Sequence, residues 1–139
     1  MKIHEFQAKE LMAGRGIPVP RGEMVTTVAD AMAAVGPLVE ATGNPVVVVK
    51  SQIHAGGRGK GRFAEYPDLG GVNVVLDGLE GGLEATKRKV GELAGRMLGS
   101  TLVTVQTGPE GKKVNRLYIE QGIDIQRELY LSIVLDRSS

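Results

Sequence analysis

Lys50 closes the apolar run Val46-Val47-Val48-Val49, and the glycine-dense segment Ala55-Gly56-Gly57-Arg58-Gly59-Lys60-Gly61 follows closely. A β-branched run without alternation reads as a strand covered on both faces. The ammonium of its last residue then projects from a buried strand into a cleft, where it can meet a phosphate. Glycines let backbone N–H groups approach phosphate oxygens, and Arg58 and Lys60 add positive charge. A solvated loop between two strands, basic for solubility, is the competing interpretation. With Lys50 placed just before the loop, the two stand level.

Two familiar phosphate motifs are absent. A Walker A requires Gly-x4-Gly-Lys-[Ser/Thr], whereas His54 stands where its first glycine belongs and Gly61 follows Lys60. A dinucleotide fingerprint must open a helix, whereas Gly57-x-Gly59 leads through Gly61 towards a second strand. His54 could accept a phosphoryl group or act as a base, but no carboxylate lies near it in sequence, which favours a hydrogen-bonded structural role. His4 reads as a helix-start residue. No His/Asp/Glu cluster has metal-ligand spacing, and there is no Gly-x-Ser-x-Gly elbow. Glu120 and Glu128 fall at strand ends. There a carboxylate can bond a ribose or the exocyclic amine side of an adenine, or simply be a solvated charge.

The elements that must position these groups follow from periodicity and turn chemistry. Residues 4–13 predict a short helix with Phe6, Leu11 and Met12 on a partial apolar face, closed by Gly14 and Gly16. Pro18 and Pro20 force an extended link to a strand at Glu23–Thr26. Thr27-Val28-Ala29-Asp30 has the form of a helix start, and Pro37 is expected to break that helix after about Val35. Strands are expected at Val46–Lys50 and Val72–Leu76. A helix at Leu83–Leu98 carries an apolar stripe of Leu83, Val90, Leu93, Ala94 and Met97, with Glu84–Arg88 and Glu92–Arg96 pairs outside. Leu102–Thr107 and Val114–Gln121 read as strands joined by a hairpin through Gly108-Pro109-Glu110-Gly111. Glu128–Asp136 alternates, with Leu129, Leu131, Ile133 and Leu135 on one face, and predicts a last strand that needs a partner the chain does not supply. Interspersed strands and helices with hairpins make the class α+β.

Composition narrows the functions. The 139 residues suit one ordinary domain. Seventeen Lys and Arg balance sixteen Asp and Glu to a net charge of +1, too even for a general nucleic-acid or membrane-surface binder. With no Trp, two Phe and three Tyr, the chain scarcely offers a base-stacking platform. Zero Cys excludes disulfides, zinc thiolates and thiol catalysis and suits a reducing, cytoplasmic compartment. Nothing approaches a membrane span, and the N-terminus lacks an apolar signal core.

Three blocks carry a resemblance: Met1 through Leu11; Val48-Val49-Lys50-Ser51-Gln52-Ile53-His54-Ala55-Gly56-Gly57-Arg58-Gly59-Lys60; and the closing run from Leu102 through Val114-Asn115-Arg116, Tyr118-Ile119-Glu120 and Glu128-Leu129-Tyr130-Leu131 to Asp136-Arg137. In order and in content they resemble the start of the β-subunit family of succinyl-CoA synthetases (succinate–CoA ligases). The resemblance implies an ATP-grasp fold, a mixed sheet with packed helices, cut before the end of that domain. Residues 21–122 would form one nucleotide-binding subdomain, and residues 1–20 and 123–139 the opening pieces of the second. It implies that Lys50 contacts nucleotide phosphates and that Gly57, Arg58 and Gly59 form a flap over them. Glu120, Ile123 and Glu128 would line the nucleotide pocket, Glu128 towards the ribose. Gly61–Gly71 is longer than in compact members.

The family couples ATP/ADP or GTP/GDP, with Mg²⁺, to the joining of succinate and CoA through a phosphohistidine on a partner α subunit and an acyl phosphate. This implies a cytoplasmic citric acid cycle enzyme in bacteria, or a mitochondrial-matrix one in eukaryotes. His54 is therefore not the phosphoryl acceptor. The Mg²⁺ ligands are expected beyond residue 139, and the present chain is not expected to turn over alone. Malate–CoA ligase β subunits begin almost identically. An RNA-binding module and a subunit-interaction piece without ligand affinity are the readings from other classes.

Overall fold

The computed structural model describes residues 2–138. Met1 and Ser139, the outer ends of the two flanking segments expected from the resemblance, lie outside the described residues. In chain order the elements are α1 (Glu5–Gly14), β1 (Gly22–Val25), α2 (Val28–Thr42), β2 (Val47–Ser51), β3 (Arg62–Phe63), β4 (Val72–Val75), α3 (Gly78–Met97), β5 (Thr101–Val103), β6 (Lys112–Lys113) and β7 (Leu117–Gln121). Four strands form the main sheet in the order β1-β7-β2-β4, and β3-β5-β6 form a small second one. Every pairing between these strands is antiparallel.

One face of the main sheet makes the core. Val47, Val49, Val75, Leu117 and Ile119 are almost fully buried there, against Ala31, Ala34 and Val35 of α2 and Val90, Ala94 and Met97 of α3. Each such Val, Leu, Ile or Met side chain contributes roughly 1.5–3 kcal/mol by leaving water. Cross-strand pairing puts Lys50 opposite Tyr118, Val48 opposite Glu120, and Gly22 opposite Glu120, so these residues share the other face. On that face lies α1. The strand buried on both faces is β7, whereas β2 alternates buried and half-buried residues, a correction to the run of valines taken as covered throughout.

Local chemistry explains most element ends. Thr27 Oγ1 accepts from the Asp30 amide at 3.1 Å and starts α2. At α1, Gln7 Oε1 accepts from the His4 amide at 2.8 Å. The expected break at Pro37 does not occur, and α2 runs through it to Thr42. Gly36 has no Cβ to collide with the proline ring, and packing on α3 and the sheet outweighs the lost hydrogen bond. The regular part of α3 begins where expected, because Gly82 (φ 71, ψ −166) kinks a preceding turn away from it. Its charges pair differently from the expected i,i+4 ladder: Lys87 meets Glu84, Lys89 meets Glu92, and Arg96 reaches Asp68. Leu83 is partly exposed, so the stripe is carried by the other four residues.

Two strand expectations are corrected. The hairpin through Gly108–Gly111 joins short β5 to β6, with Thr101 opposite Lys113, and β7 starts afresh at Leu117 to enter the main sheet. Thr104 and Thr107 bond each other across a turn, which ends β5 early. Residues 122–138 hold no strand or helix, and Leu129, Leu131, Ile133 and Leu135 are between 77% and 92% exposed. An alternating segment becomes a strand only with a partner edge, and no strand among the described residues runs beside it.

Candidate nucleotide-phosphate site

The site is built on the sheet face that α1 covers, where Lys50 of β2 and Glu120 of β7 are diagonal neighbours, Lys50 lying opposite Tyr118 and Glu120 opposite Val48. Lys50 lies one residue from the end of β2, and Glu120 near the end of β7. The helix brings Glu5 and Lys9, one turn apart, over both. Lys50 Nζ donates to Glu5 Oε1 at 2.9 Å and lies 3.0 Å from Glu120 Oε2. Lys9 Nζ bridges the same two carboxylates, at 3.0 Å from Glu5 Oε1 and 2.5 Å from Glu120 Oε2. Lys9 Nζ also stands 5.4 Å from the centre of the Tyr118 ring, which lies across Gly22 where any Cβ would collide with it.

Arg58 joins this group from the glycine-rich loop. Its guanidinium donates at 2.7 Å to the Ser51 carbonyl and at 2.7 Å to Glu5 Oε2. The loop reaches this position by a tight turn at Gly57 (φ 78), whose carbonyl accepts from the amides of Lys60 and Gly61. Gly71 lies against the Arg58 backbone so closely that a Cβ there would stand 2.7 Å from the Arg58 carbonyl oxygen. The result is a cleft of about 550 Å³ lined by Glu5, His54, Gly57, Arg58, Gly59 and Gln106, among others. Gln106 ties down the loop by accepting from the Gly56 amide at 2.8 Å.

The electrostatics follow from this geometry. Burial disfavours the Glu5 carboxylate, yet hydrogen bonds from Lys50, Arg58 and Lys9 outweigh it and hold the group well below the usual carboxylate range. Burial likewise works against the Lys50 ammonium, but its hydrogen bonds to Glu5 and Glu120 raise it above the ordinary lysine value. Tyr118 is pushed up to about 12, by burial first and then by the charges of Glu120, Glu5 and Glu10. Three cations, Lys9, Lys50 and Arg58, thus face two carboxylates, which leaves the cluster net positive at the edge of an open cleft.

Of the residues singled out in the sequence, Lys50, Arg58 and Glu120 are brought together, and Gly57 and Gly59 line the adjoining cleft. Glu120 is 3% exposed and serves as a counter-ion to two lysines, so it is not a solvated strand-end charge. Ile123 and Glu128 sit on the exposed 123–138 segment and do not line the cleft. His54 stacks on His4 with ring centres 3.9 Å apart, and burial, then His54, lowers the His4 pKa. Glu5 and Lys9 were missed as site residues. Their i,i+4 spacing on a predicted helix was visible, but nothing local shows that the helix lands on β2 and β7. Among the described residues, no group of three or more His, Cys, Asp or Glu is arranged to hold a metal ion.

An antiparallel α+β unit whose glycine-rich loop brings Arg58 beside the strand-end Lys50 suits a nucleotide-phosphate site. The chain belongs to the ATP-grasp domain family, whose model matches residues 2–139. It is similar along its whole length to the protein named succinate–CoA ligase [ADP-forming] subunit beta in Bradyrhizobium diazoefficiens, at 52% identity over 100% of this chain and 32% of the relative. The proteins of the same name in Sorangium cellulosum (53% identity, 99% of this chain, 30% of the relative) and a Chelativorans species (54%, 99% and 32%) are similar in the same way. The chain therefore spans about a third of the length of the curated relatives it matches. No helix among the described residues is long and apolar enough to cross a membrane.

Proposed function

We infer that this chain is the N-terminal nucleotide-binding part of the β subunit of an ADP-forming succinate–CoA ligase. The observation that carries this is the convergence of Lys50 and Arg58, from a strand end and a glycine-rich loop, on one carboxylate at the mouth of the cleft. Phosphoryl transfer demands positioning and neutralisation of charge more than covalent help from the protein. Lys50 and Arg58 supply the charge, and Gly57 and Gly59 let the backbone approach the phosphates. Glu120, Ile123 and Glu128 belong to the ribose and base end of the same nucleotide, which is ATP/ADP in preference to GTP/GDP because the similar proteins are named ADP-forming.

In the whole enzyme the partner is an α subunit carrying the phosphorylated histidine, the other substrates are succinate and CoA, and the compartment is the bacterial cytoplasm. Glu5 and Glu120 are both engaged by cations, so the reading assigns the Mg²⁺ ligands to the part of the relatives that this chain does not span.

The test is a titration of the chain with Mg-ADP, followed by backbone amide shifts, with Lys50→Ala as control. Shifts confined to Lys50–Gly61 and the neighbourhood of Glu120, lost in the control, support the reading. An unchanged spectrum up to millimolar nucleotide overturns it for this chain.

A further inference from the structure

The two cations assigned to the phosphates are held by a third group that this assignment does not use. We propose that Glu5, braced by Lys9, is a positioning residue that aims Lys50 and Arg58 at the nucleotide phosphates; the proposal rests on the nucleotide reading above. Glu5 divides its carboxylate between them: Oε1 takes Lys50 at 2.9 Å and Lys9 at 3.0 Å, while Oε2 takes Arg58 at 2.7 Å. An ammonium has three donors and a guanidinium five. Lys50 spends two on Glu5 and Glu120, and Arg58 two on Glu5 and the Ser51 carbonyl. Each retains N–H groups for phosphate oxygens while one side of it is fixed.

Without Glu5, Lys9 and Lys50 would share the single carboxylate of Glu120, and Arg58 would keep only the Ser51 carbonyl. Mutual repulsion would then spread two long side chains whose rotamer freedom costs affinity each time it is lost on binding. The backbone supports the same role. Glu5 sits in the first turn of α1, and the amide of the next residue, Phe6, donates to Gln52 Oε1 at 3.1 Å, which anchors the helix start to the segment following β2. The carboxylate is thus delivered by a fixed element and not by a mobile side chain alone.

The experiment compares ADP, inorganic pyrophosphate and adenosine as probes on the wild-type chain, Glu5→Gln and Glu5→Asp. A positioning role predicts that Glu5→Gln weakens ADP and pyrophosphate about five- to tenfold, the loss of one charge-assisted contact per cation. Adenosine binding stays unchanged, and Glu5→Asp recovers part of the phosphate-dependent affinity. Tighter ADP binding in Glu5→Gln would show a resident carboxylate competing with phosphate and would overturn the proposal. So would an equal loss for ADP and adenosine, or no loss at all. Should Glu5→Gln fail to fold, Lys9→Met carries the test, with about a twofold loss for ADP alone; absence of that selectivity overturns the proposal. A wild-type chain that binds neither ADP nor pyrophosphate removes the nucleotide reading itself, which is distinguishable from a wild type that binds and a variant that does not differ.

Discussion

Glu5 Oε2 accepts a 2.7 Å hydrogen bond from the guanidinium of Arg58, 53 residues further along the chain. The bond ties the first turn of α1 to the glycine-rich loop, so the loop's position depends on a helix far from it in sequence. A second bond from the same guanidinium to the Ser51 carbonyl spans the gap back to β2.

Arg58→Lys keeps the charge and loses the fork, because a single ammonium cannot reproduce the planar pair of N–H groups that reaches both acceptors. The expected cost is about 1–2 kcal/mol of stability, read from urea unfolding at neutral pH. Unchanged stability would show that the two bonds are not made together in solution.

Acid should undo the cluster through Glu5. Its folded-state pKa is depressed, so the stabilisation is fully present above the ordinary glutamate value of about 4.3 and fades as pH falls from there through the folded value. Glu5→Gln is therefore less stable than wild type at pH 7, and the gap narrows below about pH 4.3. For Lys50 the sign is opposite: its raised pKa gives stability present below about 10.4 and lost as pH rises through the folded value. Stability measured against pH for wild type, Glu5→Gln and Lys50→Met checks both directions.

Gly71 and Gly59 should respond differently to alanine. A Cβ at Gly71 would stand 2.7 Å from both the Arg58 carbonyl oxygen and Leu102 Cδ2, whereas at Gly59 nothing lies within 4 Å. Gly71→Ala is expected to cost about 1–3 kcal/mol and to shift the Arg58 amide, while Gly59→Ala stays within about 0.5 kcal/mol. Thermal unfolding and amide spectra of the two variants provide the comparison.

Ending the chain at Gly122 should leave its stability nearly unchanged, within about 0.5 kcal/mol, because residues 123–138 are exposed and belong to no strand of either sheet. The shortened chain should also associate less at high concentration, since it sheds the run of exposed apolar residues from Leu129 to Leu135. Sedimentation of both forms measures this.

Local patterns made much of this legible. The valine run announced β2, Thr27 and Asp30 announced the start of α2, and Lys50 followed by glycines announced the loop whose Arg58 turns back to the end of β2. What failed to show was decided at a distance. Pro37 sits inside an intact helix because tertiary packing overrides its propensity. Glu5 and Lys9 reach the site only through the docking of α1, which no window of sequence encodes. The Glu128–Asp136 segment has the alternation of a strand, but alternation supplies no edge, and without one among the described residues it stays irregular.

The order β1-β7-β2-β4 has a consequence for how the protein is made. Two early strands, Gly22–Val25 and Val47–Ser51, are not neighbours of each other; both hydrogen-bond to Leu117–Gln121. During synthesis the ribosome releases them long before their shared partner emerges, so the nascent chain holds two incomplete edges until residue 121 clears the exit tunnel. The ion-paired cluster cannot assemble earlier either, since Glu120 arrives on that same last strand. Closure of the sheet is thus a late, long-range event, the kind that slows folding and gives chaperones time to act.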